Sequence, residues 1–148
     1  MKNILLTYST LSGTTESITK DLYNLLVEEY NPIKFEIESI EKLDPINLSK
    51  FDLIIFGAST HDGDMNPDAG QFFSNLENAK KDLTGIRFSL FGIGDRAYSD
   101  FCGALDKIKE KIIANKGEVL TESLKLEGYP LSEVIDTLKS WAKSFIKV

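Results

Sequence analysis

Seven consecutive residues, Ser9-Thr10-Leu11-Ser12-Gly13-Thr14-Thr15, carry five hydroxyl groups and stand directly ahead of a stretch with helical periodicity. A helix N-terminus presents unpaired amides and a partial positive charge, which makes it an anion site by construction. Hydroxyls add donors that rotate to meet phosphate oxygens. One of them, Ser12 or Thr14, would serve as an ordinary helix cap; five exceed what a cap needs, and the run predicts a phosphate cradle. No Lys or Arg lies between Asn3 and Thr19. The triphosphate-binding Gly-x-x-x-x-Gly-Lys-Ser/Thr loop is therefore absent, and neutral donors suit one terminal phosphomonoester better than a triphosphate with magnesium.

Two other segments invite chemical readings that their context rejects. Gly92-x-Gly94-x-x-Ala97 has the form of a dinucleotide fingerprint, but that motif belongs in the first strand-to-helix turn, and here it follows a later apolar run. Asp62-x-Asp64-x-Asn66 opens like a calcium loop, yet its sixth position is Pro67 instead of Gly and its twelfth is Phe73 instead of Glu. The lone His61 has no recognisable Ser or Cys partner for nucleophilic catalysis. The lone Cys102 excludes a disulfide framework and any Cys-based zinc or iron–sulfur site, and reads as a small packing residue.

Short apolar runs alternate with longer amphipathic ones, which is the pattern of βαβ units and a parallel sheet. Strands are expected at Asn3–Tyr8, Ile33–Ile40, Asp52–Gly57, Ile86–Ile93 and Glu118–Leu126. Helices are expected at Thr14–Tyr30, Asp68–Asn78, Ser99–Asn115 and Leu131–Ile146. Gly117 is placed to end the third helix in a left-handed conformation. Ile33, Phe35 and Ile37 alternate with Lys34, Glu36 and Glu38, so the second strand should sit at an edge with one face in water. The spacing of Val134, Ile135, Leu138, Trp141 and Phe145 marks them as core. The fold expected is an α/β three-layer open sheet of five parallel strands with helices on both faces, all 148 residues forming one domain. In such sheets ligands bind beyond the carboxyl ends of the strands. That directs attention to residues 9–14, 59–67 and 92–102.

The 17 Lys and Arg against 23 Asp and Glu leave a net charge of −6. This balance argues against nucleic acid and anionic membranes and for positively charged partner surfaces. Lys2 is followed only by Ile4-Leu5-Leu6 before polar residues, too short for a signal-peptide core, so a cytoplasmic location is expected. A phospho-receiver domain would need an aspartate ending the third strand, where Gly57-Ala58-Ser59-Thr60 offers none.

Across its whole length the chain resembles flavodoxin, the small FMN-binding electron carrier. Thr10-Leu11-Ser12-Gly13-Thr14-Thr15 matches the family's phosphate loop, and Gly94-Asp95-Arg96-Ala97-Tyr98-Ser99-Asp100-Phe101-Cys102-Gly103 matches its second flavin loop. The last strand lacks the insertion of the long-chain branch. The resemblance implies strand order 2-1-3-4-5 and the FMN phosphate on Ser9, Thr10, Leu11, Ser12, Gly13, Thr14 and Thr15. It implies Tyr98 stacked on the outer face of the isoalloxazine, with backbone groups around Gly94, Asp95, Asp100, Phe101 and Cys102 at its pyrimidine edge. The inner face falls to Ser59, Thr60, His61, Asp62 and Gly63. The family often has Trp where this chain has His61, and either His61 or Met65 is left to cover the ring. Asp62–Gly63 takes the place of the peptide that bonds flavin N5 on reduction.

The function so implied is low-potential, one-electron shuttling on noncovalently bound FMN by a monomer. One fixed negative charge about 11 Å from the ring, at an effective dielectric near 20, opposes reduction by roughly 1.5 kcal/mol, or about 65 mV for one electron. Asp62, Asp64, Asp68, Asp95 and Asp100 add to the phosphate in this sense. The expected partners are basic redox proteins, such as a ferredoxin/flavodoxin–NADP reductase, and low-potential acceptors. The alternative is a small FMN-dependent NAD(P)H:quinone reductase of the same fold.

Overall fold

The protein is described by a computed structural model covering residues 1–10, 13–61, 64–94, 102–127 and 130–147, the side chains of Ile46 and His61 excepted. Strand β1 (Asn3–Ser9) lies between β2 (Lys34–Ser39) and β3 (Leu53–His61), and β5 (Arg87–Gly94) pairs with the far side of β3, all parallel. The far edge is made of two short strands, β6 (Glu118–Val119) and β7 (Leu124–Glu127), both parallel to β5. The chain thus runs from β1 outward to β2, then crosses back to β3. That reversal places a switch point between β1 and β3, as the resemblance requires.

Helices α1 (Thr14–Glu29), α2 (Pro67–Asn78), α3 (Gly103–Ala114) and α4 (Leu131–Lys143) cover the two faces. Alternation along β1 sends Ile4 and Leu6 to the side of α1 and α4, where they meet Ile18, Leu22, Leu26, Val134 and Leu138. Leu5 goes to the other side, with Phe72, Phe73 and Leu76 of α2 and Leu105, Ile108 and Ile112 of α3. β3 and β5 are buried on both faces, so they read as continuous apolar runs. Trp141 packs edge-on against Phe91 and Phe145, with centroids 6.0 and 4.8 Å apart. It is partly buried and packs against the core on the side of α1 and α4, on the core-facing stripe that its spacing predicts. β2 is the expected edge strand: Phe35 is buried while Lys34 and Glu38 are not.

Three expectations are corrected. The last strand is not continuous: Phe88 pairs with Val119 and Phe91 with Leu124, so three steps along β5 face five along the edge. The two extra residues form a bulge, in which Leu120 N–H still reaches Phe88 O (2.7 Å) and Thr121 Oγ1 bonds Ser89 Oγ (3.3 Å). β3 runs past Gly57 to His61 and returns through an antiparallel strand β4 (Asp64–Met65), pairing Thr60 with Met65 and His61 with Asp64. The left-handed residue after α3 is Lys116 (φ 70°), not Gly117. Gly117 is required for space instead, since a Cβ there would meet Ile112 Cγ2 at 2.8 Å.

Candidate functional site

All four α-helices begin at the carboxyl end of the sheet, and their N-cap residues are Gly13, Asn66, Cys102 and Pro130. None of the four supplies a side-chain cap bond. The N-cap of α1 is therefore Gly13, in a left-handed conformation (φ 90°), and not Thr14 or Ser12. A side chain at Gly13 would project into open space, with nothing within 4 Å of a built Cβ. Gly13 N–H donates to Thr10 Oγ1 (3.1 Å). That hydroxyl, accepting inward, keeps its own proton to donate elsewhere. The donor set of this cradle therefore fits a phosphomonoester: a helix start whose N-cap is a glycine without a side chain, a hydroxyl with a proton to give, and no Lys or Arg in the sequence between Asn3 and Thr19.

The hydroxyls of the run do not all face the same way. Ser9 is fully buried and donates to Asp68 Oδ1 (2.5 Å), tying the end of β1 to the first turn of α2. Thr15 is buried as well, and its carbonyl accepts from Thr19 Oγ1 (2.7 Å). Glu16, in the first turn of α1, is paired with Lys20 at 3.0 Å, and that bond holds the ammonium above its ordinary pKa. Behind the cradle, burial and the Glu16 carboxylate push the Tyr8 phenol up.

The second segment is the β3–β4 hairpin. Ser59 Oγ accepts from Asn66 Nδ2 (2.8 Å), Thr60 Oγ1 accepts the amide of Ala104 (3.2 Å), and Asp64 lies 3.6 Å from Lys107 Nζ. Asn66 is 1% exposed, and its Oδ1 finds no hydrogen-bond partner among the described residues. Met65 packs against the α2/α3 core cluster. The third segment enters the described structure at Gly94 and resumes at Cys102, which is buried with φ 54°. The expectations for Leu11, Ser12, Asp62, Gly63, Asp95, Tyr98, Asp100 and Phe101, and for the His61 side chain, lie outside the described residues.

Sequence reasoning missed Asp68 as the partner of Ser9, and Asn66, Ala104 and Lys107 as the anchors of the hairpin. Only Asn66-Pro67 carried a local signal, as an Asn cap followed by Pro at the first helical position.

Comparison with known proteins places this arrangement. The family model described as flavodoxin matches residues 6–141. The chain belongs to the flavodoxin family. It is 34% identical over 150 aligned positions to "Probable flavodoxin 2" of Bacillus subtilis, covering 99% of this chain and 96% of that one. It is 32% identical to the flavodoxin of Maridesulfovibrio salexigens, covering 95% and 94%. The crystal structure of oxidised flavodoxin 2 from Bacillus cereus superposes with a TM-score of 0.83 at 33% identity, covering 97% of each chain. Flavodoxins are FMN-binding electron-transfer proteins and not enzymes, so FMN is the cofactor and electron carriage the role. In flavodoxins generally, FMN binds at the switch point between the first and third strands. Among the described residues of this flavodoxin, no helix is long and apolar enough to cross a membrane and no group of three His, Cys, Asp or Glu could hold a metal ion.

Proposed function

We propose that this flavodoxin, residues 1–148 forming one domain, is a low-potential one-electron carrier that works as a monomer in the cytoplasm. Bound FMN supplies the one-electron chemistry. Ser9 through Thr15 form the phosphate site, with Thr10, Leu11, Ser12, Gly13, Thr14 and Thr15 touching the phosphate and Ser9 bracing the loop through Asp68. Ser59, Thr60, His61, Asp62 and Gly63 line the inner side of the ring. Gly94, Asp95, Tyr98, Asp100, Phe101 and Cys102 take the outer side and the pyrimidine edge. Of the two side chains that could cover the inner face, His61 and Met65, we favour His61; the partly buried Met65 packs against the α2/α3 core cluster, which supports that choice.

The observation that carries this reading is the start of α1, where the N-cap is the left-handed Gly13 and its amide bonds Thr10 Oγ1, leaving that hydroxyl's proton to give, in a stretch of sequence without Lys or Arg from Ile4 to Ile18. The net charge of −6 opposes adding an electron to the ring, which favours a low potential, and it suits docking on basic partners such as a ferredoxin/flavodoxin–NADP reductase and low-potential acceptors. The test is anaerobic redox titration of the purified protein with optical detection. Flavin absorption bands and two well-separated one-electron steps are expected. Apoprotein that fails to take up added FMN would overturn the reading, and NADPH oxidation by the isolated chain would replace it with a reductase.

A further inference from the structure

Helix α3 opens behind Cys102, whose side chain supplies no cap, yet its second amide is taken. Ala104 N–H donates to Thr60 Oγ1 at 3.2 Å, across 44 residues of sequence. A hydroxyl oxygen meeting the second amide of a helix is what a capping residue provides, and here it comes from the end of β3. One turn further along α3, Lys107 Nζ stands 3.6 Å from Asp64 Oδ1 on β4. Thr60 and Asp64 sit on the two strands of one hairpin, either side of residues 62 and 63. The hairpin is fixed at its root by Asn66 Nδ2 on Ser59 Oγ (2.8 Å).

We propose that Thr60 is a positioning residue for the flavin: by capping α3 from outside, it sets the spacing between the hairpin leaving β3 and the start of α3, with Lys107–Asp64 as a second, weaker tether. The inference rests on the reading that the ring lies against the hairpin and the start of α3. Two strands and a helix start that are joined at two points move as one body, so the gap between them is defined before FMN arrives. The second tether is weaker because Lys107 and Asp64 are about half exposed, where ion pairs contribute little and are screened by salt.

The test compares FMN titrations into apoprotein, reduction potentials of the bound flavin and thermal midpoints of the apoprotein for wild type, Thr60→Val, Thr60→Ser and Ile112→Val. Thr60→Val keeps shape and loses the acceptor: its FMN dissociation constant is expected to rise tenfold or more, with a shift in the potentials. Thr60→Ser restores both, because its oxygen still accepts from Ala104. Ile112→Val loosens α3 in the core, away from Ala104, and lowers the thermal midpoint with FMN affinity unchanged. Affinity that falls with the thermal midpoint in Ile112→Val as it does in Thr60→Val would reduce Thr60 to a stabilising cap and overturn the proposal. A folded Thr60→Val that binds FMN within twofold of wild type, at the same potentials, would also overturn it. If Thr60→Val fails to fold, Lys107→Gln decides: two- to threefold weaker binding at low salt but not at high salt supports the tether, and no change at low salt removes it. Wild-type apoprotein that binds no FMN at all would instead sink the functional reading beneath.

Discussion

The two ends of the sheet are finished differently. At the amino end, Asp52 Oδ2 accepts the amides of Lys2 (2.6 Å) and Asn3 (2.8 Å), so a carboxylate from the start of β3 closes the start of β1. At the carboxyl end, four helices begin with N-cap residues whose side chains make no cap bond, and two of the starts are tied to the ends of strands distant in sequence, Ser9 to Asp68 and Thr60 to Ala104. The amino end spends a carboxylate on the first amides of β1; at the carboxyl end Asp68 does the same for Ala69 in α2 (2.7 Å), while the Gly13 amide that opens α1 is met by the neutral hydroxyl of Thr10. A carboxylate should therefore stabilise the start of β1 and damage anion binding at the start of α1.

The sharpest way to break that contrast is to place a carboxylate in the cradle. Thr10→Asp sets a negative charge where the FMN phosphate is expected. Two like charges about 4 Å apart at an effective dielectric near 20 repel by roughly 4 kcal/mol, and even half of that weakens binding by about thirtyfold. FMN titration of the apoprotein should show a loss of at least that size, while riboflavin, which lacks the phosphate, loses far less. Equal losses for both flavins would mean that the phosphate lies elsewhere.

Removing the carboxylate at the amino end should do the reverse. Charge-assisted bonds to Asn3 and Lys2 hold the Asp52 carboxyl below the ordinary carboxylate pKa. Because the folded value is depressed, the associated stability is present at neutral pH. It declines as pH falls below the unfolded value near 3.9 and is gone below the folded one. Asp52→Asn should cost about 1–2 kcal/mol at pH 7, within the range for hydrogen bonds to a charged group after allowance for partial exposure. The gap between the two proteins should narrow steadily as pH falls below about 4 in denaturant unfolding, and FMN affinity should not move. A gap that stays constant from pH 7 to pH 3 would assign the loss to packing instead of charge.

Much of this was legible before the structure. The strand order came only with the resemblance to flavodoxins, but the layer count and the hydroxyl run of residues 9–15 follow from periodicity and hydroxyl density, which are local signals. The hairpin was not, because Ser59-Thr60-His61 is polar on both faces and reads as loop, although Thr60 and His61 pair with Met65 and Asp64. The bulge was not, because Thr121-Glu122-Ser123 preserves no alternation to count against β5. Nor were the long-range bonds that organise the site: Ser9 and Asp68 are 59 residues apart and Thr60 and Ala104 are 44 apart, and nothing in either local pattern points to the other. Even the helix ends misled where packing overrode propensity, as at Gly117, kept for its missing Cβ while Lys116 takes the left-handed turn.

The smallest effect tests whether buried polar atoms at the two depths of the sheet are equivalent. Thr7, midway along β1 and fully buried, has an Oγ1 without a partner among the described residues, as has Asn66 Oδ1 at the carboxyl end. Thr7 stands level with Phe56 of β3, inside the sheet, so its hydroxyl carries a desolvation cost with nothing returned. Thr7→Val exchanges that hydroxyl for a methyl of similar size and should stabilise by about 1 kcal/mol, raising the thermal midpoint by about 3 °C with FMN affinity unchanged. Asn66 is different: its Nδ2 holds Ser59, and its backbone carbonyl accepts from Ala69 and Gly70 at 3.0 and 3.2 Å. Asn66→Leu removes the bond to Ser59 along with the orphan oxygen, so it should yield no such gain. Equal stabilisation by both substitutions would show that the Asn66 bond contributes nothing to the hairpin root.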